Sequence, residues 1–425
     1  MIYIGLMLYH IINQLRSAKC LYLPPHTIFA PAAAVHHIVW PSDLLLQSGS
    51  IWIHARPKSG GPGRPKKKIY HRVHELDRVM DLRKKPTLIL QLKSIIQSQR
   101  NQSLLLRDLE KQVGFVQKWN FMAILEKYPS IFRVSGGVDG SPPSISLTQK
   151  AEKVAGEEAQ AREAMESIVV KNLRKLLMLS VDCRIPLVKI ELIESQLALP
   201  RDFKNMLIPK YPEFFSVKNI NGVDCLQLEH WDSGLAITSR EEWLSREGVL
   251  MQKSGSKKVR ISNDGNYLGP FAFRMKYPAG FRPNVSFLKE VERWQKMDFP
   301  SPYCNARRVE TSDPKARKRV VGVLHELLSL AIEKRLTCAQ MDAFGKELFL
   351  PSRLVLCLIK YQGIFYITNK GERGSVFLKE AYDESSNLVD KCHLLVFNDK
   401  FVELCGRTST SLCSQAAYPR SPSRS

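Results

Sequence analysis

One short pattern occurs three times in the chain, and internal repetition decides architecture before any single residue can. It reads Lys127-Tyr128-Pro129 with Phe132, Lys210-Tyr211-Pro212 with Phe215, and Lys360-Tyr361-Gln362 with Phe365. Each copy has an apolar stretch of helical spacing upstream and a short apolar run with a Gly turn downstream. A repeated module builds an extended surface more readily than a single catalytic pocket.

The middle copy shows the expected module. Leu173, Leu176, Leu177 and Val181 recur at helical spacing and predict a first helix. Val188, Leu192, Ile193 and Leu197 predict a second. Pro200 suits the first turn of a third helix, whose inner face is Phe203, Met206 and Leu207. That helix stops near Tyr211, because the residue before Pro212 is pushed out of the helical region. Phe214 to Val217 and Val223 to Leu228 then read as a hairpin turned by Asn221-Gly222. In the third copy Leu324, Leu327, Leu328 and Ile332 mark the first helix, and Thr337 with Gln340 has capping-box spacing. Leu350-Pro351 repeats Leu199-Pro200, and Phe365 to Thr368 pairs with Ser375 to Leu378. In the first, Leu92, Ile95 and Ile96, then Leu105 and Leu109, then Phe121 to Leu125 precede a looser hairpin at Gly136-Gly137. The expected fold is α+β and mainly helical: three winged-helix-like repeats, each of three helices and a β-hairpin. They span about 85–148, 170–229 and 320–379, with an aromatic and basic insertion between the second and third. A generic α+β repeat without a groove-reading helix fits the same pattern.

The formal charge of +22 is spread over the chain. Residues 1–74 carry +8 and residues 406–425 carry +3, which leaves +11 on the body at 75–405. A polyanion is the first candidate partner. The nine cysteines form no Cys-x-x-Cys pair, and several fall on apolar faces, which predicts free thiols in a reducing compartment. His71-Arg-Val-His74-Glu75 matches no zinc spacing, so no metal or cofactor is expected.

The ends differ from the body. Residues 1–60 are rich in Ala, His and apolar side chains and nearly free of acids, as organelle transit peptides are. Met1 to Leu15 is too short for a comfortable membrane span. Residues 57–69 read as a flexible basic linker; Gly63-Arg64-Pro65 echoes a minor-groove DNA hook and Pro65 to Lys68 a nuclear signal. The Ser/Arg/Pro-rich tail at 406–425 reads as disordered.

Catalytic motifs are missing. No Gly-x-Ser-x-Gly elbow and no Walker loop occurs, and Ser254-Gly-Ser-Lys257 lies in a Gly/Ser/Lys-rich loop without a partner motif. The chain is expected to be no enzyme, with no small-molecule substrate and no membrane partner.

The segment at 268–304 alternates aromatics with Arg and Lys. Rings that stack on unpaired bases, beside cations that hold the backbone, are how single strands are bound. Phe271, Phe273, Arg274, Lys276, Tyr277 and Arg282 are the candidates here. The competing reading is that the same rings pin an irregular connection to the core. A second cluster follows: Arg307, Arg308, Lys315, Arg317, Lys318 and Arg319, six cations in thirteen residues against Glu310 and Asp313. As phosphate contacts they would supply affinity without sequence information.

Four segments together carry a family resemblance: Arg83 to Ile96, Ile208 to Phe215, Gly280-Phe-Arg-Pro283 and Leu350-Pro-Ser-Arg353. They resemble the plant organelle RNA recognition (PORR) family across about residues 75–405. The resemblance implies an RNA-binding protein of mitochondria or chloroplasts that promotes splicing of group II introns. Its partner would be single-stranded or structured organellar intron RNA, with other splicing factors alongside. The mitochondrion is the expected compartment, with the chloroplast as alternative. A nuclear winged-helix DNA-binding protein and a hydrolase with a dispersed site are the competing readings.

Overall fold

The computed structural model describes residues 72–406 apart from 114–120, 137–141, 248–265, 268, 279, 311 and 372–373. The readings of the N-terminal segment before residue 72, the Ser254–Lys257 loop, Gly137 and the tail from 407 lie outside the described residues. The described elements follow one order three times.

Repeat 1 consists of α1 (His74–Gln97), β1 (Ser103–Leu105), α2 (Leu106–Val113), α3 (Phe121–Lys127), β2 (Phe132–Ser135) and β3 (Ser144–Leu147). Repeat 2 consists of α4 (Gln149–Leu179), β4 (Arg184–Pro186), α5 (Leu187–Glu191), α6 (Phe203–Met206), β5 (Phe215–Ile220) and β6 (Val223–Leu228). A connector follows, with α7 (Ser239–Arg246) and α8 (Val285–Lys296). Repeat 3 consists of α9 (Pro314–Leu330), β7 (Arg335–Thr337), α10 (Cys338–Ala343), α11 (Leu354–Lys360), β8 (Phe365–Thr368) and β9 (Ser375–Leu378), and α12 (His393–Glu403) ends the described chain.

Each repeat makes a three-stranded antiparallel sheet with the last strand in the middle. The register is the same in all three. Phe132 faces Leu147, Phe215 faces Leu228 and Phe365 faces Leu378. The first strands put Leu104, Ile185 and Leu336 opposite Ile145, Leu226 and Val376. All twelve of these side chains are buried, so the sheet's inner face is what the apolar pattern specifies. The short first strands have no counterpart among the elements expected from the sequence. Each begins just after a residue with positive φ: Gln102 (48°), Cys183 (51°) and Lys334 (51°).

The repeated Tyr sits at the helix-to-strand junction in every copy. Its carbonyl accepts from the N–H three and four residues on, including Phe132, Phe215 and Phe365 at 3.0, 3.1 and 3.0 Å. Asn221 and Gly222 have φ of 52° and 79°, the two-residue turn that Asn-Gly favours because both positions need φ above zero. Two expectations are corrected. The second helix of repeat 2 is α-helical only to Glu191 and continues as turns. Pro200 precedes α6 rather than opening it, since Asp202 is the N-cap residue.

Repeats 2 and 3 pack symmetrically. Aligning the ends of α4 and α9, Leu179 on Leu330, makes Val181 equivalent to Ile332 and Gln196 equivalent to Glu347. Val181 N–H donates to the Glu347 carbonyl at 2.9 Å, and Ile332 N–H donates to the Gln196 carbonyl at 2.8 Å. Each repeat therefore gives the other the same bond, as in a twofold dimer. Lys175 and Glu326 are also equivalent, and they meet each other at 2.8 Å, both buried. Two copies of either side chain would repel there, so the sequence specifies repeat 2 against repeat 3 and neither against itself. α1 ties the ends together: Asp77 accepts from Tyr366 and Thr368 of β8 at 2.8 and 2.6 Å, and Lys93 pairs with Glu158 at 2.5 Å beneath the Phe397 and Phe401 rings.

Candidate nucleic-acid interface

The connector explains where half of the expected site residues go. α7 starts on a full capping box, Thr238 with Glu241. This fixes Arg240, which is buried and donates to the Pro270 and Ala272 carbonyls at 2.7 and 3.4 Å. Gln295 of α8 is fully buried and pairs both ends of its amide with the Phe273 backbone, at 2.9 and 2.8 Å. Asn266 does the same for Met275 at 2.8 and 2.9 Å. The connector backbone is thus held by side-chain amides where no sheet partner exists.

Phe273, 1% exposed, packs among Trp294, Phe299 and His325 at 5.5–5.7 Å between ring centroids. It is a core residue and no base-stacking candidate, because a base cannot reach its face. Lys318 and Arg319 are corrected for the same reason. Lys318 is fully buried and donates to the carbonyls of Trp294, Gln295 and Met297 at 2.7, 3.0 and 2.7 Å, capping the end of α8. Burial pushes its pKa down to about 7. Arg319 donates to the Pro302 and Cys304 carbonyls at 2.8 and 2.7 Å. These two cations fasten the connector to α9. Gly322 belongs to the same joint, since a Cβ there would sit 3.0 Å from the Phe299 ring.

Other candidates are partly occupied. Tyr277 is half-buried and stacked on Phe281 at 4.8 Å. Lys276 is half-buried, donates to the Tyr382 carbonyl and has a pKa lowered by burial. Arg307 pairs with Asp182 at 2.9 Å and Lys315 with Asp298 at 2.7 Å. Arg274, Arg282 and Arg308 are exposed and make no ion pair among the described residues. Arg317 is half-buried, and its Nε is buried without a hydrogen-bond partner.

Phe271 keeps one accessible side. Its ring meets Phe299 edge-on at 6.2 Å and lines an open cleft of about 360 Å³ with Ile237, Arg240, Glu241 and Ser301. An apolar wall with an acceptor and donors at its rim has the chemistry to hold a planar heterocycle. Among the described residues no cluster of His, Cys, Asp and Glu could hold a metal ion, and no helix is long and apolar enough to cross a membrane.

The chain belongs to the plant organelle RNA recognition domain family, whose model matches residues 71–410. It is 33% identical over 329 residues to Protein WHAT'S THIS FACTOR 1 homolog, chloroplastic, of Arabidopsis thaliana, over 76% of this chain and 60% of that protein. The rice (Oryza sativa subsp. japonica) protein of the same name is 31% identical, over 82% of this chain and 65% of its own length. Protein WHAT'S THIS FACTOR 9, mitochondrial, of Arabidopsis thaliana is 25% identical, over 77% of this chain and 81% of that protein. The chain thus spans under two thirds of the first two relatives. No solved structure gives a significant match.

Lys360, outside the site candidates read from the sequence, is the last residue of α11, and the charge of Arg317 acts on it. The repeated Lys-Tyr pattern reads as packing, and only the alignment of α4 with α9 brings out what differs around it.

Proposed function

We propose that this protein binds intron RNA in a plant organelle and promotes splicing of group II introns by holding RNA, without turnover. The family match across residues 71–410 is the observation that carries this reading. It favours this reading over the nuclear DNA-binding and hydrolase alternatives. The three repeats, each with a short strand, helical segments and a hairpin, are read as winged-helix-like modules. Arg274, Arg282, Arg308 and Arg317 supply phosphate contacts, and Phe271 is the ring that meets an unpaired base. The names of the more similar relatives favour the chloroplast over the mitochondrion expected from the sequence.

Immunoprecipitation from isolated organelles followed by RNA sequencing tests the reading. Enrichment of intron-containing organellar transcripts, with unspliced forms accumulating when the protein is depleted, is the expected result. Uniform recovery of all transcripts would reject intron binding. A fluorescent fusion of the whole chain decides the compartment.

A further inference from the structure

Repeat 2 closes one surface position with its own carboxylate, and repeat 3 leaves the equivalent position cationic. In repeat 2, Glu166 of α4 accepts from the Tyr211 hydroxyl at 2.5 Å and pairs with Lys210. The hydrogen bonds from Lys210 and then Tyr211 hold this carboxyl below its ordinary pKa. Aligning Leu179 of α4 with Leu330 of α9 puts Arg317 where Glu166 stands. Lys360 and Tyr361 stand where Lys210 and Tyr211 do. Repeat 3 thus has an arginine at the position of that carboxylate, close enough for its charge to act on Lys360.

Neither cation is neutralised. The Arg317 Nε is buried without a partner, and Lys360 makes no ion pair among the described residues. The Tyr361 ring packs against the Trp294 ring at 5.1 Å between centroids, so it sits under the connector where Tyr211 does not. Burial, and then the charge of Arg317, lower the Lys360 pKa, while Glu290 of α8 opposes this more weakly. Two half-buried like charges are destabilising until an anion joins them. Arg317 also lies in the first turn of α9, where the helix dipole disfavours a cation and favours an anion.

We propose that Arg317 and Lys360 form a site for one phosphate of an RNA backbone, whose oxygens take the place that the Glu166 carboxylate holds in repeat 2. This rests on the RNA-binding reading above. The guanidinium offers a planar fork and the ammonium a point charge, both suited to phosphate oxygens. The bound phosphate sets the strand's position and does not read its sequence.

The test is Arg317→Glu in the whole chain, which rebuilds the repeat 2 arrangement and is expected to melt no lower than wild type. Lys346→Glu is the control, an equal charge change on an exposed lysine of repeat 3. Binding of a labelled single-stranded RNA oligonucleotide is measured by fluorescence anisotropy over a salt series. Arg317→Glu should weaken binding at least about tenfold, as removal of a charge-assisted bond does. It should flatten the log–log salt slope by about 0.7, the share of one single-strand phosphate. Lys346→Glu should leave the slope unchanged. Equal weakening in both variants with unchanged slopes would overturn the site, since only the general field would be at work. Wild-type affinity in Arg317→Glu, with a wild type that binds, would overturn the site alone. A wild type that binds no RNA would overturn the RNA-binding reading itself. If Arg317→Glu melts lower, Arg317→Gln takes its place, and an unchanged slope in that variant overturns the site.

Discussion

Repeats 2 and 3 share strand register, junction turns and core, yet their first helices meet different surroundings. On α4, Ser167, Ile168 and Lys171 are exposed. At the equivalent places on α9, Lys318, Arg319 and Gly322 lie beneath the connector. The difference shows how a basic run divides its labour on a helix. Neighbouring cations point in different directions, so one fastens backbone while the next faces solvent. A cluster that looks like one phosphate-binding patch is partly scaffold.

The comparison breaks first if the shared core is not shared energetically. Phe215→Ala and Phe365→Ala should each cost about 3–5 kcal/mol in denaturant unfolding, because both rings are buried in matching registers. A near-zero cost for either would separate the repeats. The joint on α9 comes next. Lys318→Met should cost about 1–3 kcal/mol, since it strips the buried carbonyls at the end of α8 of their donor. Ser167→Ala, at the equivalent place in repeat 2, should stay within about 0.5 kcal/mol.

Phe271 and Phe273 sharpen the comparison within the connector. Phe271→Ala should lower melting only modestly, since the ring is half-buried against Phe299, and weaken single-stranded RNA binding by about 1–3 kcal/mol, with duplex RNA affected less. Phe273→Ala should chiefly lower melting instead. If both variants only melt lower, the connector is core throughout and Phe271 reads no base.

The smallest effect is at Asp77. Burial raises its pKa, but hydrogen bonds from Thr368, Tyr366 and Arg72 outweigh this and hold it below the ordinary value. The folded value lies below the unfolded one. Its stabilisation is therefore present above the unfolded carboxylate pKa of about 3.9 and is lost as pH falls through the folded value. Urea unfolding of wild type and Asp77→Asn should converge as pH falls from about 5 towards about 2. A constant difference across that range would assign the role of Asp77 to shape rather than charge.

The hairpins and junctions are legible in the sequence because their signals are local. Asn221-Gly222 names its own turn, and Phe132, Phe215 and Phe365 mark the same inward position. The strands β1, β4 and β7 are not legible, because three residues are too few to show a period of two. The segments after Leu187 and before Lys210 look more helical in the sequence than they are, since apolar residues at turn positions such as Ile193, Leu197 and Leu207 keep helical spacing without a helix. For the site, the sequence locates the connector but does not orient it. Alternating rings and cations there send Phe273 inward and Arg274 outward, and the backbone lacks the regular pattern that would announce which. Lys360 stands out only once Arg317 is set against Glu166.

Hydrogen exchange of the whole chain, with and without a single-stranded RNA, tests most directly that repeat 3 is the open copy and repeat 2 the closed one. The account predicts slowed exchange at 314–318 and 356–361 on RNA addition, with 163–167 and 206–211 unchanged. Equal slowing in both repeats, or slowing in repeat 2 alone, would contradict it.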